Sequence, residues 1–170
     1  MDYRELTDQE YYERLRIVVA GAEGLHPRAQ DVGDDMATIG YGYTFNRDNN
    51  AEIWRNSGIQ LTHREVTALA AIDAAPTEDK TRLGLGFQRE LTEAESEQLL
   101  RASMLEYEGP ASSLSMPLSE ERVAVVSLTY NRGPGALLGN AARNIPEHPI
   151  MNAIREGDRA EAWFQMRYNC

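Results

Sequence analysis

The sequence predicts an α+β fold that is predominantly α. A small N-terminal α/β lobe and a helical C-terminal lobe are expected, with a cleft between them. Three observations carry this. Apolar residues recur at helical spacing over most of the chain, Tyr12, Leu15, Val18, Val19 and Ala22 being the first such set. One Gly-punctuated β-type run, residues 37–45, stands near the front. The 170 residues suffice for one domain, or for two small lobes sharing a helix, with a real core. We therefore expect a single domain over 1–170, with lobes of about 1–90 and 91–170.

The first helix is expected over Asp8–Glu23. Thr7 or Asp8 can cap it, Gly24 suits the left-handed position that closes a helix, and Pro27 discourages continuation. An Asp-rich loop follows. The run Thr38-Ile39-Gly40-Tyr41-Gly42-Tyr43-Thr44-Phe45 alternates side chains but holds two glycines, which predicts a short curved hairpin rather than a long strand. The polar loop 46–50 ends it, and a short helix over about 51–56 is closed by Gly58. Thr62 and Glu65 have capping-box spacing and open a helix to about Ala75. Residues 76–86 read as a linker with one helical turn. Thr92 and Glu95 repeat the capping box and open a helix through about Tyr107, ended by Gly109-Pro110. Ser119 caps a helix over 120–131 that is apolar on most faces, the pattern of a helix central to a bundle. Arg132-Gly133-Pro134-Gly135 is a sharp turn. Short helices near 136–142, 150–156 and 158–168 complete the chain.

Apolar and charged fractions of 42% and 26% are those of a folded globular protein and argue against disorder. The net charge of -10 argues against a nucleic-acid module, which needs a basic face. It also argues against electrostatic capture by an anionic membrane or bacterial wall. The one cysteine, Cys170, has no partner for an intramolecular disulfide, which is compatible with a reducing compartment. The opening MDYRELTDQEYYERL has no apolar core of a signal peptide, and no apolar run approaches the roughly 20 residues that span a bilayer. We expect a chain made in the cytoplasm, so that a target outside it must be reached by delivery through another system.

The segment 22–45 concentrates the chemistry. Hydrolysis of a glycosidic bond needs one protonated carboxyl to donate to the leaving oxygen and a second carboxylate to activate water or attack the sugar. Glu23, at a helix end, suits the acid: an apolar setting and the negative pole of the helix both disfavour its ionisation. Asp31, Asp34 and Asp35 are candidates for the second carboxylate, and the Thr38 hydroxyl can hold the attacking water. Each also has an ordinary reading, as a surface glutamate before a capping glycine, as turn aspartates and as a β-branched strand residue. His26, His63 and His148 are scattered, which argues against a zinc site. Neither acidic loop has EF-hand spacing, and Gly40-Tyr41-Gly42 lacks the lysine of a phosphate loop. No metal and no cofactor is expected.

Together these residues resemble the phage-type lysozymes, whose pattern is Glu-Gly closing the first helix, an aspartate about nine residues on, then Thr-Ile-Gly-x-Gly. Glu23-Gly24 and Thr38-Ile39-Gly40-Tyr41-Gly42 match, with the same Glu-to-Thr interval. A second block, residues 124–133, looks like the central helix of the helical lobe, and residues 91–100 look like the helix linking the lobes. The resemblance implies a lysozyme-like fold and a cofactor-free muramidase that cuts peptidoglycan at the β-1,4 bond between N-acetylmuramic acid and N-acetylglucosamine. It implies Glu23 as general acid, Thr38 as the water-positioning partner and Asn131 as a substrate-binding residue. By strict count the aspartate position falls on Val32, so Asp31 is assigned, with Asp35 as the alternative second carboxylate. Tyr43, in place of a common histidine, and the long stretch 47–90 are similar to the muramidase domains of bacteriocins and secreted antibacterial toxins, such as the pesticin-like branch. Peptidoglycan glycan strands are the implied partner. A delivery or secretion machine and an immunity protein would go with a toxin. The chain stops where family members continue into a basic closing helix, so an excised or truncated domain is expected. A lytic transglycosylase and a non-catalytic peptidoglycan-binding domain of lysozyme descent are the alternative readings.

Overall fold

The computed structural model describes residues 2–169; Cys170, the lone thiol, lies outside them. The architecture is α+β and predominantly α, with a single three-stranded antiparallel sheet among the described residues. The chain divides into two compact units, one made of Val19–Ser103 and the other of the residues on either side. Helix α1 (Asp8–Glu23) and helix α5 (Glu93–Met104) each run from one unit into the other.

Within Val19–Ser103, strands β1 (His26–Asp31), β2 (Ala37–Gly40) and β3 (Tyr43–Thr44) lie in the order β1-β2-β3. The β2–β3 hairpin turns through Gly40-Tyr41-Gly42, because Ile39 pairs with Tyr43 and both glycines sit at positive φ, 64° and 80°. That backbone explains the two glycines of the Thr-Ile-Gly-x-Gly run. β1 corrects the expectation of a loop after Gly24. Its HPRAQD sequence has no apolar alternation, and its hydrogen bonds come from distant partners, β2 on one side and Leu91 on the other, whose N–H reaches Pro27 O at 2.8 Å.

Behind the sheet stand α2 (Asn50–Asn56), α3 (His63–Ala74) and α4 (Thr77–Leu85). Ile39, Tyr43, Phe45, Trp54, Leu69 and Phe87 form the centre of the core. Trp54 stacks on Phe45 at 6.2 Å and meets Phe87 edge-on at 5.1 Å. Such aromatic pairs are each worth about 0.5–1.5 kcal/mol beyond the area they bury. α4 replaces the linker expected over 76–86. A helix forms there because Gly84 lets it approach the sheet: a Cβ at Gly84 would stand 2.7 Å from Ala37 Cβ and 2.9 Å from Phe45 Cβ.

Both capping boxes form. Thr62 and Glu65 exchange their bonds at the start of α3, as do Thr92 and Glu95 at α5. Arg89 bridges the two boxes through Glu65 and Glu95. The α2 start is capped from afar, by Asp73 accepting the N–H groups of Asn50 at 2.7 Å and Ala51 at 2.9 Å. Lys80, with only 2% of its side chain exposed, is satisfied by Asp48 and by the carbonyl of Arg47 at 2.7 Å.

The other unit holds the start of α1, α6 (Gly109–Ser113), α7 (Glu120–Arg132), α8 (Pro134–Leu138), α9 (Pro149–Arg155) and α10 (Arg159–Tyr168). Ser119 caps α7 by accepting the Arg122 N–H at 3.2 Å. Glu108 takes both the Tyr11 hydroxyl at 2.6 Å and Arg122 Nε at 2.9 Å, tying α1 to α7. Two further expectations are corrected here. Gly109-Pro110 opens α6 instead of only ending the preceding helix, since proline is at home in a first helical turn. The helix expected near 136–142 is α8 followed by a separate 3-10 turn over Ala141–Arg143, split at Gly139 by a positive φ of 70°.

Candidate active site

Glu23 is the last residue of α1. Gly24 adopts φ 73° and its N–H closes on Ala20 O at 3.2 Å, the left-handed stop that glycine provides. The carboxyl therefore sits at the negative pole of the helix, where ionisation is disfavoured. It is half-buried, and that burial pushes its pKa above the usual glutamate value, while the charge of His26 pulls in the opposite sense. Both local effects of the fold, burial and helix pole, favour the protonated acid.

Thr38 lies inside β2, 3% exposed, and its Oγ1 makes no protein hydrogen bond. It pairs with Gln30 on β1 and Thr44 on β3, so these three side chains share one face of the sheet. Ile39 and Tyr43 point the other way, into the core. A buried hydroxyl without a partner in the protein costs about 1–3 kcal/mol.

Asp31 ends β1 opposite Ala37, next to the Gln30 that faces Thr38. It is exposed, and its Oδ1 accepts the Gly33 N–H at 2.8 Å, which leaves the second oxygen outside that bond. Asp34 does the same turn work, accepting the Met36 N–H at 3.1 Å. Asp35 occupies the turn into β2 at φ 60°, and its carbonyl accepts the Thr81 hydroxyl at 2.9 Å. Glu23, Asp31, Asp35 and Thr38 all belong to the Val19–Ser103 unit, on α1, β1, the turn between the strands and β2.

Asn131 lies in the other unit, exposed on the last turn of α7, with Nδ2 donating to Ser127 O at 2.9 Å. It lines an apolar groove of about 750 Å³ in that unit with Ile17, Val18, Ala124, Leu128 and Met166. Sequence reasoning missed a side-chain pair on β1. His26 Nδ1 and Gln30 Nε2 stand 2.7 Å apart, although they are four positions apart along β1. Only the strand's irregular pairing brings them together, and no local pattern announces it.

A half-buried carboxyl biased toward its acid form, exposed carboxylates in a neighbouring loop and an uncommitted hydroxyl are the groups that acid-assisted glycoside hydrolysis uses. Among the described residues no cluster of His, Cys, Asp and Glu is arranged to hold a metal ion. Compared with protein-family models, the chain matches the one for phage lysozyme over residues 20–168. No curated protein and no solved structure matches it.

Proposed function

The chain belongs to the phage lysozyme family, a family of peptidoglycan hydrolases, and from that premise we propose that it is an N-acetylmuramidase. Its substrate is the glycan strand of peptidoglycan, cut at the β-1,4 bond between N-acetylmuramic acid and N-acetylglucosamine. The observation that supports the reading is Glu23, a half-buried carboxyl at a helix end whose burial raises its pKa above the usual glutamate value.

Glu23 gives that proton to the glycosidic oxygen, the bond from the muramic C1 breaks, and the N-acetylglucosamine leaves with a 4-hydroxyl. Asp31, or Asp35 as the alternative, faces the developing positive charge and takes the proton of the entering water. Thr38 Oγ1 orients that water, and Asn131 binds the sugar chain. The reaction inverts if the two carboxyls stand about 6.5–9.5 Å apart with water between them, and retains if about 5–5.5 Å lets the aspartate attack C1. No cofactor enters. The activity serves bacterial lysis, as a phage lysis enzyme or as a toxin domain of the pesticin-like branch brought to the wall by a delivery machine.

Digestion of purified peptidoglycan by wild type and Glu23→Gln, with products reduced and weighed by mass spectrometry, tests the reading. Wild type releases fragments with reducible muramic ends, and Glu23→Gln loses about 10²–10⁴-fold, the worth of a positioned general acid. Fragments with 1,6-anhydro ends would make the protein a lytic transglycosylase. Binding without fragments would make it a wall-binding domain.

A further inference from the structure

We propose that the outer face of α10, built from Trp163, Phe164, Arg167 and Tyr168, is a stacking platform for the sugars of a peptidoglycan glycan strand. It continues the groove that Asn131 lines. The proposal rests on the peptidoglycan reading and names a second place where the strand is held.

α10 is fastened on one side and bare on the other. Asp158 caps it by accepting the Glu161 N–H at 2.9 Å. Gln165, itself buried, donates to Glu161 at 2.6 Å and accepts from the Asn169 amide at 2.9 Å. His148 Nδ1 accepts the Ile150 N–H at 3.2 Å, so the neutral ring carries its hydrogen on Nε2, which stands 3.1 Å from Asn169 O. The end of α10 is thereby tied to the start of α9. With Ala162 and Gln165 turned inward, residues 163, 164, 167 and 168 face out.

These outward side chains are exposed and yet ordered by one another. Trp163 is 55% exposed and Tyr168 60%, and Phe164 is exposed beside them. Trp163 meets Tyr168 edge-on at 6.1 Å, and Phe164 lies 5.2 Å from Tyr168. Arg167 Cζ stands 5.2 Å from the centre of the Trp163 ring and 5.6 Å from that of Tyr168. A guanidinium at that range is attracted by both rings, so the platform is set before a ligand arrives. Arg155 and Arg159 are committed to Glu147 and Glu121, whereas Arg167 joins no ion pair among the described residues.

Three observations select a sugar strand as the occupant. First, the platform runs on from the groove: Met166 lines it with Asn131, Leu128 and Ile17, and Trp163 stands one turn before Met166 on the same helix. Second, a pyranose has an apolar C–H face and a rim of hydroxyls. Aromatic rings beside a guanidinium offer the matching surfaces, apolar faces for the one and N–H donors for the other. Third, the net charge of -10 opposes capture by an anionic surface, whether wall or membrane. Retention on the wall then needs contacts that work without net attraction, and stacking on exposed aromatics is such a contact.

Of the two tryptophans, Trp54 is fully buried, so Trp163 is the one that reports on the surface by fluorescence. The test uses the full chain carrying Glu23→Gln and glycan strands freed of their stem peptides by an amidase. Adding the strands should shift Trp163 emission to the blue and shield it from acrylamide. Adding Trp163→Ala should weaken strand binding, measured by calorimetry, at least about tenfold, and Trp163→Tyr should restore most of it. Strands that bind while Trp163 emission and quenching stay unchanged overturn the platform, as does full affinity in Trp163→Ala. Light scattering alongside shows whether α10 instead seats a second copy: a dimer that Trp163→Ala dissolves would also overturn the proposal. A chain that binds no strands sinks the platform and the peptidoglycan reading together. Cleavage that persists in Glu23→Gln refutes only the acid, and Trp163 still reports on the platform.

Discussion

Thr38 offers a clean separation of stability from function. Its hydroxyl is buried, unpaired within the protein and set in a strand where a valine has the same shape. Removing an unpaired buried hydroxyl relieves about 1–3 kcal/mol, so Thr38→Val should melt higher, by about 2–4 °C for each kcal/mol. The same change removes the group proposed to orient water, so peptidoglycan hydrolysis should fall at least about tenfold. Thermal unfolding and turnover measured on one preparation check both halves; a variant that melts lower and works normally would strip Thr38 of its role. At this scale the sequence spoke clearly where chemistry is local. Glu23 before Gly24 marked a helix end because only the glycine takes the left-handed backbone readily, and Thr38 stood in a run whose alternation is plain. His26 and Gln30 carried no such mark, because their contact depends on a bulge whose register is settled by β2 and Leu91.

Among the elements, α4 shows how a helix of modest propensity is held by what it lies against. Alanine is the better helix former at position 84 by about 1 kcal/mol. The space there forbids it, since the added methyl would press on Ala37 Cβ and Phe45 Cβ, atoms of residues locked in the core. Overpacking of this kind costs about 1–3 kcal/mol. Gly84→Ala should therefore lower stability by up to about 2 kcal/mol and the melting temperature by up to about 8 °C. Calorimetry checks it, and an unchanged or raised melting point would show that α4 can back away from the sheet. This contact is also why residues 76–86 looked like a linker: two glycines depress the local helix signal, and the compensation lies on β2 and at Phe45. β1 was hidden for the same reason. Pro27 and a polar sequence speak against a strand, and its partners are remote. The helices opened by Thr62, Thr92 and Ser119 were legible because each cap is made with a residue three positions on.

For the whole molecule, charge decides how the protein meets its substrate. The sequence carries a net charge of -10. Arg28, Arg82, Arg155 and Arg159 are each engaged with a carboxylate, and Arg89 and Arg122 lie in partly buried ion pairs. Among the described residues no helix is long and apolar enough to cross a membrane. A protein so charged is repelled by an anionic wall until it reaches contact distance. Salt shortens the reach of that repulsion, from about 30 Å at 10 mM to about 8 Å at 150 mM. KM on intact, anionic peptidoglycan should accordingly fall several-fold between those salt concentrations, with kcat unchanged, because screening helps encounter and leaves the chemistry alone. Uncharged chitooligosaccharides, assayed in parallel, should show no such trend. A KM on the anionic wall that rises with salt would reverse the argument, since it would mean that a local basic face, outweighing the net charge, captures the substrate.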